Sequence, residues 1–174
     1  MSRGLGDVYK RQYHNNGNGT FTDISDSAGT GITTPSSSRG LAVGDLWNDG
    51  RMSAVISNMN ARPSLLQNQV KYANHWVAFK TIGTNSNRDG IGARITVKAG
   101  KRRLVDEVRS GSSYVSNSDM RVHFGLGKET KLDAVEARWP SGLTERFDNL
   151  SVDQINTVKE GSGVAVQNEP PKKP

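Results

Sequence analysis

The sequence has no cysteine among its 174 residues. Disulfides, thiolate metal sites and cysteine nucleophiles are therefore excluded, while the compartment stays open, since many secreted domains manage without disulfides. Aromatic residues make up only 6% and apolar residues only 33%, low for a compact enzyme. No run approaches the roughly 18 apolar residues of a membrane-spanning helix. Helical periodicity nowhere extends beyond about two turns. Strong charge is missing as well. The first twelve residues hold Arg3, Lys10 and Arg11 against Asp7, and the last thirteen hold Lys172 and Lys173 against Glu169. Setting aside those +2 and +1 from the formal +6 leaves +3 for the body, which is poor evidence for nucleic acid or an anionic membrane.

Glycine is abundant, at 19 residues, and turn-rich β proteins use glycine at tight connections. The strongest pattern lies between Trp76 and Phe147. Trp76–Ile82 is apolar on both faces, which suits a central strand. A polar turn with Asp89-Gly90 follows, and then Ile95 and Val97 alternate with Arg94, Thr96 and Lys98, the period of a strand with one buried face. Arg102–Val108 reads as a strand with a charged outer face. Ser110–Asp119 reads as a polar loop. Met120, Val122 and Phe124 alternate, as do Val135, Ala137 and Trp139. Pro140-Ser141-Gly142 supplies a tight turn. Leu143, Glu145 and Phe147 then share one face, and a last strand is expected near Ile155–Lys159. Short strands at this spacing predict an all-β chain and a β-sandwich.

Upstream, Asn15–Gly19 forms a turn leading into a short strand anchored by Phe21, and a patternless linker, GTGITTPSSS, follows. Leu41–Val43 and Ala54–Ile56 are short apolar runs flanking Asp45, Asn48, Asp49 and Gly50. Two strands joined by such a loop offer oxygen ligands for Ca²⁺, although Ile56 stands where an EF-hand needs its last carboxylate. The segments NNGNGTFTDIS and GLAVGDLWNDG resemble the FG-GAP/VCBS repeat of β-propellers. The resemblance implies a calcium loop with Asp45 as first ligand, Asp49 as fifth, Arg51 giving a backbone carbonyl and Ser53 in last place. Trp47 and Ser53 stand where the family has carboxylates, so the loop is degenerate. It is expected to bind calcium weakly or to be a turn held by Asp and Asn side chains.

The later half resembles the ASPIC/UnbV domain through NHW (Asn74–Trp76), NRDGIGARITV, DEVRSGSSY (Asp106–Tyr114), RVHFGLG (Arg121–Gly127) and VEARWPSG (Val135–Gly142), in order over residues 74–160. In that family, which takes in the cartilage acidic proteins, the domain follows an FG-GAP propeller. The resemblance implies a setting at the cell exterior or surface, or in the periplasm, and brings no catalytic residues with it. The domains expected are a non-native or disordered leader at 1–12, which looks like a translated adapter remnant; a propeller-blade remnant at 13–72; a sandwich at 73–161; and a disordered tail at 162–174. The chain itself is then expected to be a C-terminal fragment.

Other constellations have plain structural readings. His14, His75 and His123 lack partners at metal spacing. Ser110–Ser113 lacks the elbow, base and acid of a hydrolase. Gly90–Gly92 and Gly125–Gly127 open no helix, so neither is a phosphate loop. Asp106 and Glu107 are adjacent in a strand and point to opposite faces. Arg109 has Asp106, Glu107 and Asp119 as candidate partners. The functional expectation is a non-catalytic extracellular or cell-surface binding module for a protein or glycan, with no nucleic-acid partner. Two alternatives remain open. One is a glycan-active enzyme with loop carboxylates. The other is polyanion binding through a basic stripe of Arg94, Lys101, Arg102, Arg103, Arg109 and Arg121.

Overall fold

A computed structural model of the chain describes residues 10–71 and 73–166. They are almost entirely strand and loop, as expected of an all-β chain, and they fall into two units.

The first unit takes in the chain as far as Gly44 together with Met52–Asn68 and Gly111–Ser118. Strands β1 (Tyr13–Asn15) and β2 (Phe21–Asp23) form a hairpin. Its turn is the Asn/Gly run, in which Asn15 and Asn18 side chains accept from the N–H groups of Gly17 and Thr20. Residues 10–12 do not stand apart, since Gln12 exchanges hydrogen bonds with Ile24 and Ser25, and Arg11 pairs with Asp23 at 2.6 Å. Residues 1–9 and 167–174 lie outside the described residues. The linker read as patternless contains one helical turn, Thr30–Thr33. Strands β3 (Ser38–Gly44), β4 (Ser53–Asn58) and β5 (Ser64–Leu66) make an antiparallel three-stranded sheet.

The second unit comprises Asp45–Arg51, Gln69–Ser110 and the chain from Asp119 onward. Strand β6 (His75–Ile82) lies between two neighbours, as its two apolar faces predict. The remaining strands are β7 (Arg94–Ala99), β8 (Arg102–Glu107), β9 (Val122–Gly127), β10 (Ala134–Arg138), β11 (Thr144–Phe147), β12 (Ile155–Lys159) and β13 (Val164–Ala165). They form a five-stranded sheet in the order β13-β11-β10-β7-β8 and a three-stranded sheet in the order β12-β6-β9. Pairing is antiparallel except between β6 and β12, which run parallel. One apolar core draws on both sheets: Val77, Phe79, Phe124 and Val158 from the smaller, Ile95, Val97, Val135 and Phe147 from the larger, with Trp139 beside them. Phe79 and Phe124 meet edge-on at 6.1 Å, a favoured aromatic arrangement.

Two buried carboxylates organise the turns. Glu160 accepts the N–H groups of Thr84 (2.7 Å), Asn85 (2.9 Å) and Ser86 (2.8 Å) and the hydroxyls of Ser86 (2.9 Å) and Ser141 (2.5 Å). Glu145 accepts from the Trp139 indole at 2.8 Å and from the N–H groups of Gly161 and Gly163 at 2.9 Å each. The latter contacts lead the chain into β13, which a sequence reading places in the tail because two residues display no period.

Candidate functional site

The acidic loop Asp45–Arg51, between β3 and β4, belongs to the second unit. Asp45 is buried. Its two carboxylate oxygens accept the N–H groups of Asp49 (3.1 Å) and Gly50 (2.8 Å), so it closes a turn as Asp commonly does. Asp49 faces its own neighbour: the Arg51 guanidinium and then the Arg51 N–H hold its carboxyl below the usual carboxylate range. Ser53 lies in the first unit, where its hydroxyl accepts the Asn68 N–H at 3.3 Å. Among the described residues no group of three or more His, Asp or Glu side chains is placed to hold a metal ion. A calcium cage needs oxygens turned toward a common point. Asp45 and Asp49 turn theirs toward N–H donors, so this donor set does not fit the ion.

The loop is instead fastened to β6 and β9. Arg121 donates to the Asn48 side chain at 2.5 Å and to the Asp45 carbonyl at 2.8 Å, while Asp119 grips the same guanidinium. His123 Nε2 donates to the Gly50 carbonyl at 3.1 Å, which assigns the Nε2–H tautomer. Its ring stacks on Trp76 with centroids 5.5 Å apart and planes within 7°. Burial lowers the His123 pKa, against the opposing hydrogen bond to Gly50, so the ring is neutral at physiological pH. Gly50 itself has φ 83°, and a Cβ there would lie 2.3 Å from the Trp76 ring. Both facts require glycine.

Beside this stack opens a cleft of about 890 Å³, lined among others by Lys71, His75, Trp76, Arg102, His123 and Asp153. Its size falls in the range of ligand sites, roughly 300–1,000 Å³. Asp153 fixes one wall. It accepts from His75 Nδ1 at 2.6 Å and from the Trp76 N–H at 3.1 Å, and its own N–H donates to the Trp76 carbonyl at 2.7 Å. Gly125 and Gly127 form part of the lining, and nothing stands within 4 Å of where a Gly125 side chain would begin. Arg102 and Lys71 are exposed at the cleft. The His75–Asp153 pair is itself open, with side chains 32% and 44% exposed, and among the described residues none that lines the cleft carries a hydroxyl or thiol.

The sequence reading treated His75 and His123 as separate structural residues. The structure brings both to one cleft, with Trp76 common to the two arrangements. The nearest sequence signal is the adjacent His75-Trp76 at the start of a strand. Of the predicted calcium residues, Asp49 and Arg51 line the cleft, while Asp45 and Ser53 do not. Arg109 pairs with Asp106 at 2.9 Å.

Residues 83–165 match the family model described as ASPIC and UnbV. Human cartilage acidic protein 1 is 30% identical over 129 residues, covering 70% of this chain. The matched part is 18% of that protein's length, so the chain spans a small portion of it. Arg102, His123, Gly125, Gly127 and Asp153 fall inside the family match, and His75, Trp76 and the Asp45–Arg51 loop precede it. The strands β7 to β13, which carry most of the core, fall inside this match to the ASPIC and UnbV model.

Proposed function

We propose that the chain is a non-catalytic extracellular or cell-surface binding module that takes a glycan or protein group into the cleft beside Trp76 and His123. We read the two sheets of the second unit as a β-sandwich, because they share one core. We read β3, β4 and β5 as a propeller-blade remnant of FG-GAP type. Leu41 and Val43 on one face of that sheet, and Val55 and Leu65 on the other, are all exposed, as befits a sheet built to be covered on both sides. The relative's name places that protein in cartilage, and an extracellular setting is carried over from it as part of the proposal.

The observation that carries the reading is the state of the polar groups in the cleft. His75 is held by Asp153, His123 by the Gly50 carbonyl and Asp49 by Arg51. Such groups are fixed in place before a ligand arrives, which lowers the cost of binding. Lys71 and Arg102 remain to contact a polar ligand. The acid–base alternative is less well supported. A glycosidase needs one carboxyl kept protonated, and Asp49 is pushed the other way. The test is an array of neutral and acidic oligosaccharides probed with the full chain and with the K71A/R102A variant. Saturable binding that falls about tenfold in the variant, a loss of roughly 1.4 kcal/mol, with an unchanged melting temperature, is the expected result. Steady release of reducing ends from any glycan, abolished by Asp153→Asn, would replace this reading with an enzymatic one.

A further inference from the structure

The outer face of the five-stranded sheet carries a second, independent feature. Strand register settles which side chains share that face. Ile95, Val97 and Ala99 point into the core, so Arg94, Thr96 and Lys98 lie on the opposite face, where Arg94 and Lys98 are exposed and Thr96 between them is covered by its neighbours. Arg138 of β10 lies directly opposite Arg94, and Arg103 of β8 lies directly opposite Lys98. Like charges directly opposite one another across strands are destabilising, and this sheet has two such pairs about 14 Å apart along β7. On the same face Glu107 of β8 lies directly opposite Arg94, and Glu136 of β10 lies opposite Thr96.

These four cations also differ from several other arginines of the chain. Arg51, Arg109, Arg121 and Arg146 each pair with an aspartate two or three residues away. Arg94, Lys98, Arg103 and Arg138 are exposed, and no described residue forms an ion pair or side-chain hydrogen bond with them. The stripe expected from sequence is thereby redrawn. Arg109 and Arg121 are committed to aspartates, and Arg102 belongs to the cleft. Lys98 and Arg138, which the sequence reading left out, join it.

We infer that the outer face of β8, β7 and β10 is a docking surface for a sulfated polysaccharide, with the pairs Arg94/Arg138 and Lys98/Arg103 as two sulfate-contacting points. Three of the four are arginines, whose planar forks suit two oxygens of one sulfate. A nucleic acid is less well matched. The face presents no aromatic ring for base stacking, and a flat sheet face does not enter a duplex groove. A membrane is less well matched too, because the described residues include no amphipathic helix to insert.

The experiment measures affinity of the full chain for heparin, for desulfated heparin and for a single-stranded poly(dT) of equal charge, across a series of salt concentrations. Heparin is expected to bind at least about tenfold more tightly than either of the others. R94Q/R138Q and K98Q/R103Q are each expected to lose about fivefold or more and to show a shallower salt slope. K80Q/K128Q removes two exposed charges from elsewhere and is expected to stay within about twofold. Near-UV circular dichroism should be unchanged in all three, since each face variant relieves a like-charge pair. Absence of heparin binding, equal binding of poly(dT), or an equal loss in K80Q/K128Q would each overturn the inference. None of these outcomes touches the cleft, whose test uses Lys71 and Arg102.

Discussion

Replacing Glu160 by Gln is the sharpest probe of how the second unit is held together. The Glu160 side chain is 2% exposed and accepts three backbone N–H groups and two hydroxyls. Burial by itself raises its pKa. The Ser141 hydroxyl, the Ser86 and Thr84 N–H groups and the Ser86 hydroxyl outweigh burial and hold the carboxyl at about 2 instead of 4.5. At about 1.4 kcal/mol per pH unit, that gap corresponds to roughly 3 kcal/mol of stability. The native pKa lies below the unfolded one, so the contribution is complete above pH 4.5 and is lost as pH falls toward 2.

Glutamine keeps the shape and one acceptor oxygen. The three N–H groups retain a partner, while the two hydroxyls can rotate to face the new amide. What disappears is the charge. E160Q is therefore expected to be about 2–4 kcal/mol less stable than the parent at pH 7, with the difference shrinking below about 1 kcal/mol near pH 2.5. Other carboxylates titrate in both proteins and drop out of the comparison. Urea unfolding followed by tryptophan fluorescence at several pH values reads the difference directly. A gap under about 1 kcal/mol at pH 7, or one of constant size from pH 6 to pH 2.5, would refute the reasoning.

Gly50→Ala is expected to cost about 1–3 kcal/mol, because the substituted residue meets both a positive φ and the Trp76 ring. A lowered melting temperature with red-shifted tryptophan emission checks it. Calorimetric titration with calcium is expected to give no saturation below about 1 mM, since the loop carboxylates face N–H donors. Sub-micromolar affinity would show that Asp45 and Asp49 rearrange around the ion.

Most strands were legible because an alternation of apolar and polar side chains is local. Ile95/Val97 and Val135/Ala137 show it, and the corresponding residues are buried. Partner choice was not legible. The parallel pairing of β6 with β12 joins residues such as Ala78 and Ile155, and nothing in either strand names the other. Both histidine environments depend on the same kind of long-range pairing: His75 needs Asp153, and His123 needs Gly50. Glu145 was placed on the same face as Leu143 and Phe147 by periodicity, and the structure buries it there. Its partners, the glycines of the following turn and the Trp139 indole, are what make a carboxylate tolerable at a core position.

The distribution of charge follows from the same economy of partners. With no cysteine to staple its turns, this chain closes them with carboxylates: Glu160 ties Thr84–Ser86 to Ser141, Glu145 ties Trp139 to Gly161 and Gly163, and Asp45 closes its own loop. All three are at most 4% exposed. Negative charge is thus withdrawn from the surface, while Arg94, Lys98, Arg103 and Arg138 stay in water. The buried carboxylates keep their charge, but their oxygens are occupied by donors within the protein, so the groups left free to make direct contacts with a polyanion on that sheet face are the exposed cations. The acidic loop uses its oxygens in the same way: those of Asp45 and Asp49 accept from backbone N–H groups and from the Arg51 guanidinium.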